Sequence, residues 1–214
     1  MKTSRPHIAH LSRLPPFILA LGLAISLTLA SCSKDPQSES APRESGGFPP
    51  SSKADCLPNL SLTDQYGKTV SLATLKGKPV LFDFIYTHCP DDCLLMTARM
   101  RKIADKLGPD LGKNVVLVSV TVDPEHDGPK QLYDYAKAQG AERQGWIFLT
   151  GPPPTVDALM GRFNLKRERE ENNTVGHVLE FFLVAPNGRQ LSQYVQETEA
   201  SALAADALRA AEMD

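Results

Sequence analysis

Cys89 and Cys93 are the residues of this chain whose type and spacing most directly offer chemistry. Two thiols that close can cycle between dithiol and disulfide, can hold a soft metal ion as thiolates, or can serve as a structural staple. The C-x-x-x-C spacing leaves all three open. The surroundings are more informative. The pair follows the β-rich run Pro79 to Tyr86 and precedes a segment in which Met96, Met100, Ile103 and Leu107 recur at helical spacing, with Arg99, Lys102 and Lys106 on another face. The thiols therefore stand where a helix starts after a buried strand. Free backbone N–H groups and the helix dipole favour thiolate there, a position a staple does not need. Asp91 and Asp92 oppose further negative charge between the thiols and favour a bound cation.

The elements around the pair read as an α/β fold. Leu60 and Leu62 alternate with Ser61 and Thr63 before a turn through Asp64-Gln65-Tyr66-Gly67, and Thr69 to Leu72 returns as the second strand of a hairpin. The run after the helix, Asn114 to Val122, is a second buried-type strand, with Gly108 as the helix stop. Strand, helix, strand at this spacing is a βαβ unit, whose strands must be parallel. Gln131 to Ala138 reads as helix, Trp146 to Leu149 as a short strand and His177 to Val184 as a longer one. Pro186-Asn187-Gly188 then turns into Gln190–Tyr194, and an Ala/Leu-rich helix over Ala200–Ala211 closes the chain. The order matches a thioredoxin-like α/β sandwich with an added N-terminal β-hairpin.

The chain has 214 residues, 42% hydrophobic and 22% charged, with a formal net charge of −2. That is the composition of an ordinary globular domain with appendages, with no basic excess to hold nucleic acid. Its N-terminal region reads as an address. Lys2, Arg5 and Arg13 precede 14 apolar or small residues from Phe17 to Ala30, too few to span a bilayer comfortably and fitting a signal-peptide core. The run closes on Leu29-Ala30-Ser31-Cys32, which resembles the bacterial lipobox, in which the cysteine is lipidated and the preceding peptide removed. This divides the chain into a lipoprotein signal peptide (1–31), a lipidated Cys32 with a flexible Ser/Pro/Gly-rich tether (32–55), and a globular domain (56–214). The product is an exported, membrane-anchored lipoprotein facing the periplasm, where disulfides persist.

The segment Tyr86-Thr87-His88-Cys89-Pro90-Asp91-Asp92-Cys93 resembles the Y-T-x-C-P-x-x-C segment of the Sco/SenC family. The likeness continues in Leu62 to Gly67, in Leu75 to Val80, in Ser119 to Glu125, and in His177 with Phe181 to Gly188. The resemblance implies an exported thioredoxin-like protein that binds copper and serves assembly of cytochrome c oxidase. It implies the ligand set Cys89, Cys93 and His177: two soft thiolates and an imidazole, which suit Cu(I), with room for a further ligand on Cu(II). The same three donors suit zinc with an open position. The sequence departs from the family pattern at Leu94, where Pro is usual, and at Gly176 and Val178, which flank the histidine in place of Asp and Ser. The missing Asp removes a partner that would orient the imidazole.

The resulting expectation is a metallochaperone, not an enzyme, that delivers copper to the binuclear copper site of cytochrome c oxidase. Its partners are the copper-site subunit, other exported copper chaperones or thioredoxin-like reductants, and the membrane. The rival reading is an exported thiol–disulfide oxidoreductase, with Cys89 attacking and Cys93 resolving, that keeps target cysteines reduced. Nothing beyond the fold suggests a thiol peroxidase. His177 discriminates, because a dithiol exchanger has no need of it. His88 abuts Cys89 and is able to bind metal, but it falls at a variable family position, and His126 reads as a solvated loop residue. Asp123 either shapes the metal environment or belongs to an Asp-Pro turn. Met96 and Met100 read as core. Cys56 is the odd thiol, left as exposed and free, buried and small, or a partner in an intermolecular disulfide.

Overall fold

Alternating apolar strands and amphipathic helices assemble into one mixed sheet with helices on its faces. The computed structural model describes residues 55–89, 92–169, 175–176 and 179–213. Among them the chain runs through β1 (Ser61–Asp64), β2 (Thr69–Ser71), β3 (Val80–Ile85), α1 (Asp92–Leu107), β4 (Val116–Thr121), α2 (Pro129–Ala138), β5 (Trp146–Thr150), α3 (Pro153–Arg162), β6 (Glu168–Arg169), β7 (Val175–Gly176), β8 (Glu180–Val184), β9 (Gln190–Val195) and α4 (Ala200–Ala211). Seven strands form a sheet in the order β2-β1-β5-β4-β3-β8-β9, while β6 and β7 pair separately. The central strands β3, β4 and β5 are parallel, in the register Val80↔Val116 and Leu117↔Trp146. The β1–β2 hairpin adds antiparallel to β5 on one side, and β8 with β9 does so to β3 on the other. This is the thioredoxin-like α/β arrangement with an extra N-terminal hairpin.

β3 and β4 are buried along their whole length, as strands covered on both faces must be. Because successive side chains alternate, Phe82 and Phe84 face one way and Asp83 the other. On the first side Phe163, just past α3, lies 5.1 Å from Phe82 and 5.0 Å from Phe182 between ring centroids. On the second, Trp146 stacks on Phe148, and Tyr135 of α2 meets Phe148 edge-on. α1 buries Met96, Met100, Ile103 and Leu107. The two methionines are therefore core, as their helical spacing indicates.

Two features differ from the sequence reading, and a third decides between its open alternatives. α3 (Pro153–Arg162), opened by Pro152 as its N-cap, falls in a stretch to which the sequence reading assigns no element. Proline is tolerated in a first helical turn, where its missing N–H has no intrahelical partner to lose, so Pro153 and Pro154 start a helix. The strand expected from His177 begins instead at Glu180, and Val175–Gly176 belongs to the small β6–β7 pair. His177 and Val178 themselves lie outside the described residues. Finally, Cys56 is fully buried, its N–H bonded to the Gly188 carbonyl at 2.8 Å, so of its three possibilities the buried small residue holds. Burial pushes its thiol up to about 11. Gly188 sits in the β8–β9 turn at a φ of 89°, which only glycine adopts without strain, and a Cβ there would meet Asp55 Oδ1 at 2.5 Å. No helix among the described residues is long and apolar enough to cross a membrane.

Candidate metal centre

The two thiols stand where parallel β3 and β4 end, the edge at which open α/β sheets place their sites. Residues 86–89 run from the end of β3 toward α1, and residues 122–127 lead from β4 toward α2. Cys93, in the first turn of α1, is wholly buried, whereas Cys89 is part-exposed. Both are thiols, not joined in a disulfide. The Cys93 backbone N–H donates to Cys89 Sγ at 3.3 Å, so a helix-start amide already points at the outer sulfur and stabilises negative charge there. Burial drives the Cys93 thiol far above the ordinary range, and the Cys89 sulfur beside it adds to that shift. The pair is thus asymmetric, with an outer sulfur supplied with a donor and an inner one shielded from water. Tyr86 is pushed up to about 12, first by burial and then by the neighbouring Cys89.

Asp127 holds the outer loop in place. Its buried carboxylate accepts the Thr87 backbone N–H at 2.9 Å, the Thr87 hydroxyl at 2.5 Å and the Thr121 hydroxyl at 2.7 Å. Thr121 ends β4 and Thr87 precedes the thiol by two residues, so one side chain ties the sheet end to the Cys89 loop. His88 is 70% exposed, with Nδ1 at 3.0 Å from Thr87 Oγ1 and 3.7 Å from Asp127 Oδ1. His126 is half-exposed, as a loop histidine should be, but its Nδ1 lies 3.0 Å from each oxygen of the nearly buried Asp123. Asp123 also carries the turn, accepting the N–H groups of His126 and Asp127. Of its two expected roles, these contacts show the turn.

Two further groups were not singled out in the sequence. Asp83 lies at the centre of β3, wholly buried, with neither carboxyl oxygen hydrogen-bonded among the described residues. Burial raises its pKa to about 7; the facing Ser119 hydroxyl, which already takes the Trp146 indole N–H at 3.0 Å, offsets this only in part. Its signal was a lone charge inside the apolar run PVLFDFIY. Arg167 bridges Glu125 at 2.7 Å and Asp157 at 2.6 Å, bracing the loop after β4 against α3 beside a cavity of about 420 Å³ that Val175 also lines. Nothing in the local sequence marks it, because Glu125 lies 42 residues away and Asp157 is on a separate element.

Among the described residues no group of three or more His, Cys, Asp or Glu is disposed to hold a metal ion. The structure brings Cys89 and Cys93 together; His177, one residue beyond the end of β7, lies outside the described residues, as do Pro90 and Asp91. Cys32 and its apolar run also lie outside them. The donor chemistry fits a soft cation, since two thiols side by side favour Cu(I) or zinc over hard ions.

This fold, with paired thiols at the start of the helix after the first parallel strand, defines a thioredoxin-like dithiol protein. The SCO1/SenC family model matches residues 49–212, and the chain belongs to that family. It is similar to the structure of Bradyrhizobium japonicum ScoI with copper bound, at 28% identity and a TM-score of 0.62, covering 70% of this chain and 96% of that one. A SCO1/SenC family lipoprotein from Bacillus anthracis matches at 28% identity and a TM-score of 0.70, over 77% and 99% of the two chains. BsSco, described with a disulfide switch as a member of the Sco family of cytochrome c oxidase assembly proteins, matches at 32% identity and 0.66, over 76% and 96%.

Proposed function

We propose that this chain is a copper-binding Sco protein of cytochrome c oxidase assembly, a carrier and not an enzyme. Copper is its cargo, held by Cys89, Cys93 and His177 and passed to the binuclear copper site of the oxidase subunit. The observation that carries the reading is the reduced thiol pair at the start of α1, one sulfur buried and one reachable, on a chain of the SCO1/SenC family. The copper-bound ScoI relative supports the metal, and BsSco supports the oxidase. Cys32 anchors the protein outside the cytoplasm by its lipid, a reading that rests on the Leu-Ala-Ser-Cys ending of the apolar run and on the lipoprotein relative.

In this reading the residues divide the work by their surroundings. The Cys93 N–H steadies thiolate on Cys89. Cys93 supplies a second sulfur out of water, where a soft ion outcompetes solvent and a proton must be displaced for binding. Asp127 and Thr87 fix the loop that presents Cys89.

A second reading is favoured by the same asymmetry. A thiol–disulfide oxidoreductase would use the reachable Cys89 as nucleophile and the buried Cys93 to resolve the mixed disulfide. The substitution that separates the two is His177→Ala, assayed by anaerobic titration of the reduced protein with Cu(II) and Cu(I). The carrier reading expects Cu(II) affinity to fall by more than the roughly 10–100-fold typical of an outer partner. Cu(I) should lose less, because two thiolates hold it nearly linearly. Unchanged affinity for both ions, with normal oxidase assembly, would favour the oxidoreductase.

A further inference from the structure

The hydrogen bonds behind Cys89 fix more than the position of the loop. A carboxylate only accepts, so the Thr87 hydroxyl must give its proton to Asp127 Oδ1 across their 2.5 Å contact. That hydroxyl oxygen has no second proton to give, and at 3.0 Å it can only accept from His88 Nδ1. In its neutral form His88 is therefore the Nδ1–H tautomer, with the Nε2 lone pair on the opposite edge of a ring that is 70% exposed. Metal-binding histidines are oriented by a partner on the ring nitrogen that does not bind the metal, and here that partner is a hydroxyl backed by a buried carboxylate.

Burial adds the second half of the argument. Cys93 is wholly shielded, so an ion arriving from solvent cannot meet both sulfurs at once. It meets the part-exposed Cys89 and the exposed ring next to it in the chain. We propose that His88, held by Asp127 through Thr87, is an outer donor that captures copper together with Cys89 before the ion moves inward to Cys93. The proposal rests on the copper-carrier reading and adds a ligand to its three. Exchange is by substitution: bonds to the outgoing carrier break as the bonds to Nε2 and to Cys89 sulfur form, the Cys89 thiol proton passes to solvent, and no electron moves. On moving inward the ion exchanges Nε2 for Cys93 sulfur, whose thiol proton passes to solvent.

The test uses the reduced full chain under anaerobic conditions, mixed rapidly with Cu(I) held by excess bicinchoninate, and follows loss of the chelate colour. His88→Ala should slow capture by roughly tenfold or more, the scale on which such donors and their partners act. Thr87→Val, which leaves the ring but removes its acceptor, should also slow capture, and Thr87→Ser should restore the wild-type rate, as a mere packing role would not. His177→Ala should instead leave the first phase intact and lower the final occupancy. A wild-type rate in His88→Ala, with wild-type copper uptake normal, overturns the outer donor and leaves the carrier reading standing. Failure of the wild-type chain to take copper from the chelator overturns both.

Discussion

The buried Asp83 makes stability depend on pH in a direction that can be stated in advance. The carboxyl has an ordinary value of 3.8 and is raised to about 7 in the fold, because burial penalises its charged form. Below pH 4 it is protonated in both folded and unfolded chains and costs nothing. Between 4 and 7 the unfolded chain releases the proton and the folded one keeps it, so stability falls as pH rises. Above 7 the loss is complete. A shift of about 3 units at about 1.4 kcal/mol each amounts to roughly 4 kcal/mol, a large share of a domain's net stability. Asp83→Asn keeps the shape and removes the titration. Urea unfolding of reduced, metal-free wild type and variant should show the variant gaining about 3 kcal/mol relative to wild type between pH 5 and pH 8. Any cost of burying the amide shifts the whole difference and not its slope. Parallel stability profiles would refute the reasoning and mean that Asp83 finds a compensating partner in the folded protein.

Mass spectrometry of the native N-terminus should find a diacylglyceryl-modified Cys32, and an unlipidated start further downstream would contradict the anchor. Protein purified in air should carry an intramolecular Cys89–Cys93 disulfide and bind no copper until reduced; full uptake by the oxidised form would move the ligands elsewhere. Phe163→Ala empties the contact between Phe82 and Phe182 and should cost about 3–5 kcal/mol in denaturant unfolding.

The elements that carry the site were legible because each had a strong local pattern. The run before Cys89 reads as a buried strand, and the recurrence at three and four residues from Met96 to Leu107 reads as a helix with its apolar stripe inward. The terminal helix lies over Ala200–Ala211, as its composition indicates. α3 was assigned no element, although its opening prolines are acceptable in a first helical turn. Within the site, the thiol pair was visible from spacing and placement. Asp127 was not, because an acidic residue near a turn gives no hint that Thr87, 40 residues earlier, will hang from it. Arg167 was invisible for the same reason, since its partner Glu125 lies 42 residues away. Side chains that join separate loops acquire their roles only when the sheet aligns the strand ends.

The most direct test of the carrier reading is a transfer measurement. The protein loaded with one equivalent of Cu(I) is mixed anaerobically with the metal-free, fully reduced copper-site subunit of the oxidase. The two are then separated and assayed for copper and for thiols. The account predicts that copper leaves Cys89 and Cys93 and appears in the subunit, and that a Cys89→Ala, Cys93→Ala protein delivers none. Copper retained on this chain, together with reduction of a disulfide-containing form of the subunit by the metal-free dithiol protein, would contradict it and make the chain a reductant.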